Sequence, residues 1–266
     1  MARKGRGPKG EGVLRLLAAL GGAAALALSL STCGIQTAIT YFQPPSLIVI
    51  ISNFSFTLTH NTSNNDPDLA GYDLYYRAYN SNSDATTALA NLQTLASSTS
   101  SQTPYSVLNI LTSTPSSTTE LNSGFVPVFS AAGSTTHPYF PISTSELSQS
   151  LSFTVFTPAS PVGVPIGGLS YSNWYYTNSS DTTTKVPILR YASSTQSQLS
   201  SFEEPFKNSD PDYYYDSGAS GTSASTTYFV FFAVAYGTDF SSNNLTTVYS
   251  FPAVLGQVFT YTTTYS

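Results

Sequence analysis

Three acidic side chains fall close together late in the chain, where they could bind a cation. Asp210, Asp212 and Asp216 follow Asn208 in the segment "NSDPDYYYD". Clustered carboxylate and amide oxygens are the ligands that Ca²⁺ prefers. Segment 64–68 repeats the pattern with two asparagines and two aspartates. Neither segment has the glycine and the glutamate of an EF-hand loop, and Asp-Pro-Asp also favours an ordinary turn. We therefore predict no metal, and a calcium-stabilised adhesion module is an alternative.

Two aromatic triplets could provide a binding surface. Trp174–Tyr176 and Tyr213–Tyr215 both lie beside polar residues. Exposed aromatic rings next to hydroxyl and amide groups suit contacts with a glycan or a protein. The same rings can instead pack the interior of a β-sandwich, as aromatic residues on strands mostly do, and we favour this interpretation. The candidate ligand-binding residues are Trp174, Tyr175 and Tyr176.

The sequence contains no recognisable catalytic motif. It has neither G-x-S-x-G nor H-E-x-x-H, and its two histidines, His60 and His137, stand in separate segments. A zinc site usually needs three or four protein ligands, which two isolated histidines do not supply. We expect both histidines in loops or at the surface. The sequence therefore predicts no catalytic residue, no cofactor and no enzymatic activity.

Paired carboxylates would be needed for the alternative of a carbohydrate-active enzyme. A glycosidase requires two carboxyl groups about 5 to 9.5 Å apart. Glu203 and Glu204 are adjacent, so on a strand they point to opposite faces. Glu120 and Glu146 could meet only through folding. Convergence of these carboxylates with Trp174 in one cleft would favour the enzyme.

The only cysteine, Cys33, follows a basic and then an apolar segment at the N-terminus. Residues 1–15 carry five basic side chains and one acidic one, and Leu16–Leu30 is uncharged and apolar. This apolar run is shorter than the 20 or so residues of a membrane-spanning helix. The order of segments is typical of a secretory signal peptide, which we assign to residues 1–32. An uncleaved membrane anchor is the alternative.

The segment "LSTC", Leu30–Cys33, resembles the lipobox of bacterial lipoproteins. Thr32 stands where glycine, alanine or serine is usual, and relaxed boxes of this kind are familiar in spirochaetes. The resemblance implies cleavage before Cys33 and attachment of diacylglycerol to its thiol. It also implies a protein anchored in the cell membrane or the outer membrane, facing the periplasm or the cell surface. An ordinary signal peptide followed by a chance cysteine is the alternative.

The charge of the remaining chain excludes several partners. After residue 32 only four basic side chains stand against thirteen acidic ones, a formal net charge of −9. Such a surface cannot neutralise a run of phosphates, so we predict no nucleic-acid binding. Adhesion to anionic lipid through charge is equally disfavoured. The predicted partners are the lipid bilayer, through acylated Cys33, and an unidentified protein or glycan.

Alternating apolar residues predict strands at both ends of this mature part. Leu47–Ile51 is a continuous β-branched run, and apolar and hydroxyl residues alternate over 54–59. In "GYDLYYRAY", Gly71–Tyr79, two different rows face opposite sides of the strand. One row is Tyr72, Leu74 and Tyr76, and the other is Asp73, Tyr75 and Arg77.

The strand "GYDLYYRAY" resembles strand C of fibronectin type III domains, which often reads G-Y-x-V-Y-Y-R. The segment "TTYFVFFAVAYGTDF", with the following "VYSFPAV", resembles their strands F and G. The resemblance implies an all-β fold, an immunoglobulin/fibronectin III-like β-sandwich. These strands stand about 150 residues apart, whereas such domains have about 100 residues in all. Either one sandwich carries a long insertion, which we favour, or a larger β domain shares only the local strand pattern. We place the tether at 33–45, the sandwich at 46–258 with the insertion at about 80–225, and a tail at 259–266.

The insertion is predicted to contain one short helix and several strands. Ser83 or Asp84 can cap the helix, and Ala88, Leu92 and Leu95 fall on one face. Both faces of the strand around Phe229–Val234 are apolar, so something besides the sandwich core must cover its outer face. The strand-like segments are 105–111, 124–132, 150–158, 169–177 and 185–193. Together these features predict a non-enzymatic structural or binding lipoprotein.

Overall fold

The structure is a computed structural model, and it describes part of the chain. The described residues are 41–49, 55–64, 68–116, 120–130, 140–141, 150–155, 164–166, 169–172, 174–191, 199–218, 226–239 and 246–262. All of them belong to one compact unit, Tyr41–Ser266. The predictions for the signal peptide, Cys33, His137 and Glu146 lie outside these residues. Within the described ranges, no helix has both the length and the apolar character needed to cross a membrane.

The described residues form seventeen strands and two α-helices. The helices are α1 (Asn82–Ala96) and α2 (Pro104–Thr112), and a 3₁₀ turn spans Thr62–Asn64. The strands are β1 (Ser46–Val49), β2 (Ser55–Thr59), β3 (Leu69–Tyr79), β4 (Val126–Pro127), β5 (Phe129–Ser130), β6 (Phe140–Pro141), β7 (Ser150–Val155), β8 (Val164–Ile166), β9 (Leu169–Ser172), β10 (Trp174–Asn178), β11 (Asp181–Tyr191), β12 (Leu199–Ser201), β13 (Tyr213–Tyr214), β14 (Thr226–Asp239), β15 (Thr246–Tyr249), β16 (Ala253–Val254) and β17 (Phe259–Thr262).

Two large sheets form the sandwich. The first runs in the order β1-β2-β7-β10-β11-β12, with β5 also paired to β11. The second is built on the antiparallel pair β3 and β14, in which Tyr79 lies opposite Tyr228 and Leu69 opposite Gly237. The short strands β4, β6 and β13 join β3, while β15, β16 and β17 join β14. The predicted all-β sandwich is confirmed.

The core between the sheets consists largely of aromatic rings. Phe56 of β2 contacts Phe231 of β14 and Phe259 of β17, with ring centroids 5.3 Å and 5.7 Å apart. On β3 the predicted row of Tyr72, Leu74 and Tyr76 faces this core, and all three are fully buried. Aromatic side chains bury large apolar areas, so this layer supplies much of the stability of a domain without disulfides.

The outer face of β3 and β14 is covered by the two helices, as the apolar residues on both faces of β14 predict. Val230, Phe232 and Val234 lie in a second buried cluster with side chains of α1 and α2. The helical side chains in this cluster are Ala85, Ala88, Leu89, Leu92, Val107, Leu108 and Leu111. The fold therefore has three layers, and the outer layer is helical.

Helix α1 confirms the predicted helix but starts earlier. Its N-cap is Ser81, whose hydroxyl oxygen accepts from the backbone N–H of Asp84 at 3.4 Å. The expectation of Ser83 or Asp84 as the cap is therefore wrong by two to three residues. Ala88 and Leu92 are buried as predicted.

Helix α2 corrects the predicted strand at 105–111, and the described part of residues 80–225 contains two helices where one was predicted. Thr103 and Ser106 form a reciprocal capping box, and Pro104 occupies the first turn. These features favour helix initiation because they satisfy or remove backbone N–H groups that lack helical partners. Val107 and Leu111 then fall on one buried helical face.

The C-terminal segment is also corrected. Residues 259–266 were expected to be a tail, yet Phe259–Thr262 forms β17 and pairs antiparallel with β14 from Thr226 to Phe229. Phe259 and Tyr261 are buried, while Thr260 is half-buried and Thr262 is exposed. This alternation places two aromatic rings in the core, so the sandwich extends to residue 262.

Candidate functional site

The predicted calcium ligands lie around a buried arginine. Arg190 of β11 donates from Nη2 to Asp210 Oδ2 at 2.7 Å, and from Nη1 to Asp212 Oδ1 and Oδ2 at 2.9 Å and 2.8 Å. All three side chains are buried. Asp216 instead accepts from the backbone N–H of Gly218 at 2.8 Å. The interpretation of Asp210, Asp212 and Asp216 as a ligand set is wrong, because Asp210 and Asp212 already pair with the Arg190 guanidinium.

This buried cluster fastens segment 202–216 to both sheets. Tyr76 of β3 donates its hydroxyl to the Asp212 carboxylate and accepts from the backbone N–H of Tyr191 at 3.1 Å. Burial raises the pKa of Tyr76 well above its ordinary value, so it remains a neutral donor. Burial by itself would lower the pKa of Arg190, but the charge of Asp212, the Tyr76 hydroxyl and the hydrogen bonds to Asp210 and Asp212 together outweigh burial and raise the pKa. The cluster therefore has a structural role, because it joins segment 202–216 to β3 and β11. Among the described residues, no three His, Cys, Asp or Glu side chains could together hold a metal ion.

Trp174 belongs to the core rather than to a binding surface. Its side chain is fully buried and stacks on Phe202, with ring centroids 4.4 Å apart. Tyr176 packs edge-on against Phe140 at 5.0 Å and shares a hydrogen bond with the Ser130 hydroxyl at 3.2 Å. The prediction of Trp174 as a ligand-binding residue is therefore wrong, and the ring of Tyr176 is partly used in packing against Phe140. Tyr175 lies beneath Lys185, whose Nζ is 4.7 Å from the ring centroid.

The second triplet divides between interior and surface. Tyr214 is buried and Tyr213 is half-buried against Phe206, with ring centroids 5.4 Å apart. Tyr215 is 46% exposed. Only part of this triplet therefore packs the sandwich, which agrees with the favoured interpretation for Tyr213 and Tyr214 alone.

Among the described residues, His60 and Glu120 do not form a catalytic arrangement with Trp174. His60 lies in a loop as predicted, but it is buried and its Nδ1 hydrogen-bonds with the Tyr72 hydroxyl. Burial lowers the pKa of His60. The Glu120 carboxylate accepts from the backbone N–H of Ser116 at 2.6 Å in an exposed loop. Because Trp174 is enclosed in the core, it cannot provide a stacking platform beside these carboxylates.

An open cleft of about 500 Å³ lies between α2 and the second sheet. Its described walls include residues of α2, β3, β4, β5, β11 and β15. Half of these lining residues are aromatic, and they come from elements far apart in the sequence. The aromatic lining residues are Tyr75, Tyr105, Phe125, Phe129, Tyr191 and Tyr249. A cleft of this size with convergent side chains is the usual form of a small-molecule site.

Asp73 is the charged residue of this cleft. It lies on β3 in the row that faces the helices, its exposed fraction is 3%, and its Oδ1 has no hydrogen-bond partner among the described residues. Burial raises the pKa of Asp73 to about 7, and the hydroxyl of Tyr75 opposes part of this rise. A buried carboxylate with no cation among the described residues that line its cleft is costly and marks a candidate functional site.

Asp73 was not identified from the sequence as a residue that lines a site. It was assigned only to the strand face opposite Tyr72 and Leu74. The position of α2 and of the aromatic wall over this face follows from tertiary packing. The single available signal was a lone carboxylate in a strand whose neighbours are apolar or aromatic.

A second cleft of about 500 Å³ contains Arg77, which also lies on the outer face of β3. Arg77 donates from Nη1 to the backbone carbonyls of Glu120, at 3.0 Å, and Ser123. Its guanidinium also lies 5.2 Å from the ring centroid of Tyr214. Since these contacts are internal, the Asp73 cleft is the stronger candidate site.

No protein-family model matches this chain, and the searches of curated proteins and of solved structures found no match either. The resemblances to bacterial lipoproteins and to fibronectin type III domains therefore remain predictions from the residues quoted above. The β-sandwich fold, in contrast, is observed in the structure.

Proposed function

We propose that this chain is an exported bacterial lipoprotein, held at a membrane by acyl chains on Cys33, with a non-enzymatic structural or binding domain. The observation that carries this proposal is the order of basic, apolar and cysteine-containing segments over residues 1–33, followed closely by a folded unit that starts at Tyr41. The protein would face the periplasm or the cell surface. This placement is the one that a lipobox implies.

The distance along the chain from Cys33 to the folded unit supports close attachment. Seven residues, 34–40, lie between Cys33 and Tyr41, and an extended chain from Cys33 to Tyr41 spans at most about 30 Å. The net charge of −9 after residue 32 disfavours attraction to anionic lipid headgroups. Anchoring therefore has to come from the lipid, and two or more acyl chains give stable attachment.

The internal roles of the polar and aromatic candidates support a domain without catalytic activity. Asp210 and Asp212 neutralise Arg190, Trp174 packs in the core, and His60 bonds to Tyr72. These residues were among the candidates for catalysis, metal binding or ligand binding in the sequence. Because the domain has an open cleft at Asp73, ligand binding is the activity that the geometry supports best.

Detergent phase partitioning of the full chain, expressed in a bacterium that processes lipoproteins, tests the anchor. We expect the wild type in the detergent phase and Cys33→Ala in the aqueous phase. Thr32→Ala is the matched control, because it keeps a small residue before the cysteine and should stay in the detergent phase. A wild type in the aqueous phase, or Cys33→Ala retained in the detergent phase, would contradict the proposal.

A further inference from the structure

We propose that the Asp73 cleft binds a small organic cation, an alkylammonium group that pairs with the Asp73 carboxylate and is enclosed by tyrosine rings. The inference rests on the proposed binding role of the domain and specifies the class of ligand. It does not depend on acylation of Cys33.

Charge complementarity is the first argument for a cation. Asp73 is the only charged residue among the described residues that line the cleft, and its Oδ1 lacks a hydrogen-bond partner there. An anionic ligand would meet a buried carboxylate with no lining cation to offset it. A cation would compensate the buried charge that the fold leaves unpaired.

The aromatic wall is the second argument. At one side the rings of Tyr105 and Tyr249 stack with centroids 6.4 Å apart, and Tyr105 is 59% exposed. At another, Phe129 and Tyr191 stack at 6.0 Å. Aromatic faces attract cations, and quaternary ammonium groups are often enclosed by several such rings. A carboxylate beside several rings favours an alkylated ammonium over a metal ion, which would need more oxygen ligands.

Protonation of Asp73 would compete with such a ligand. Burial raises the pKa of this carboxyl to about 7, so the anionic form dominates only above that pH. The other titratable lining residues are tyrosines, a residue type that stays neutral between pH 5 and pH 8. The described residues of α2, β4, β5 and β15 include no charged residue, and Arg77 on β3 and the charged residues of β11 do not line the cleft. Affinity for a cation should therefore fall as the pH drops below 7.

A pair of probes with the same shape and hydroxyl group tests the inference. Choline carries a trimethylammonium group, and 3,3-dimethylbutan-1-ol replaces its nitrogen with carbon. Both are titrated by ligand-observed NMR against the full chain, purified in a non-ionic polyoxyethylene detergent at pH 8. We expect choline to bind at least about tenfold more tightly than the alcohol, because only choline has the charge. We also expect choline to bind more weakly at pH 5.5.

Three variants identify the cleft. Asp73→Asn should abolish the preference for choline, and Tyr105→Leu, at an exposed ring that can be removed without disturbing the core, should weaken choline binding. Tyr215→Leu is the matched control, since this exposed tyrosine lies outside the cleft. Equal affinity for the two probes, absence of choline binding, or unchanged choline binding in Tyr105→Leu would overturn the inference. Detergent partitioning of the same preparation tests the anchor separately, so the two failures can be told apart.

Discussion

Arg190 and Asp212 pair in the interior through a single amino group, with Nη1 of Arg190 2.9 Å from Oδ1 and 2.8 Å from Oδ2 of Asp212. The pair joins β11 to the segment that precedes β13, and Tyr76 connects it to β3. Two carboxylates and one guanidinium therefore share a site that water does not reach. In the sequence these aspartates looked like a cation site, and the cation is supplied by the chain itself.

Removing the buried guanidinium should destabilise the fold strongly. We expect Arg190→Met to lower the free energy of unfolding by about 3–5 kcal/mol, because Asp210 and Asp212 would remain buried without the cation that pairs with them. Lys185→Met is the control on the same strand and should cost less than about 1 kcal/mol. Urea unfolding followed by tryptophan fluorescence measures both. Similar losses in the two variants would contradict the structural role of Arg190.

The helical layer can be tested at two neighbouring positions of α2. Leu111 is fully buried against the second sheet, whereas Ile110 is 39% exposed. We expect Leu111→Ala to cost about 2–5 kcal/mol through lost burial and a residual cavity. Ile110→Ala should cost clearly less. In a strand, Val107 and Leu111 would lie on one face and Leu108 on the opposite face. The burial of all three side chains together is typical of a helix.

Gly237 of β14 occupies a position that no side chain fits. A Cβ at this position would lie 2.1 Å from the backbone oxygen of Asp68 and 2.7 Å from the ring of Phe42. We expect Gly237→Ala to cost about 1–3 kcal/mol or more, because the strand must move to relieve the overlap. Gly256→Ala is the control, since nothing lies within 4 Å of its added Cβ. Thermal unfolding of the two variants should therefore diverge, and equal melting temperatures would be inconsistent with this packing.

Asp73 should make the stability of the protein depend on pH. Its pKa is raised to about 7 in the folded state from an ordinary value of 3.8. The unfolded chain therefore releases this proton at lower pH than the folded chain, and the wild type loses stability as the pH rises from about 4 to about 7. Asp73→Asn removes this effect, so we expect it to be more stable than the wild type at pH 8, by on the order of a few kcal/mol.

The stability of Asp73→Asn relative to the wild type at low pH tests the direction of this pH dependence. Near pH 4 the advantage of Asp73→Asn over the wild type should become small, because the folded state is then protonated and the unfolded state is beginning to take up the same proton. Glu204→Gln, at an exposed position, is the control for the removal of a surface carboxylate. An advantage of Asp73→Asn that is constant with pH would show that burial does not shift this carboxyl.

Strand positions were predictable because alternation is a local signal. The row of Tyr72, Leu74 and Tyr76 faces the core as the sequence predicts, and the apolar outer face of β14 indicated a further layer. The nature of that layer was predictable only in part. The signals for α2 were present in Thr103, Pro104 and Ser106, but the apolar run "YSVLNIL" fits a strand equally well.

The candidate site could not be predicted because it depends on pairings between distant segments. Asp73 meets Tyr249, about 175 residues away in sequence, only after β3 and β14 pair and β15 folds beside them. The burial of Arg190, Asp210 and Asp212 likewise depends on the path of the segment after β12. Local composition could suggest a charge cluster there, but not that its positive member would come from β11.

The mass of the mature N-terminal peptide tests the central claim most directly. We expect that protein extracted from the membrane begins at Cys33, with a mass increase equal to a diacylglycerol group on the thiol, with or without a further acyl chain on the amino group. A mature chain that begins at any other residue, or that begins at Cys33 with a free thiol, would contradict it.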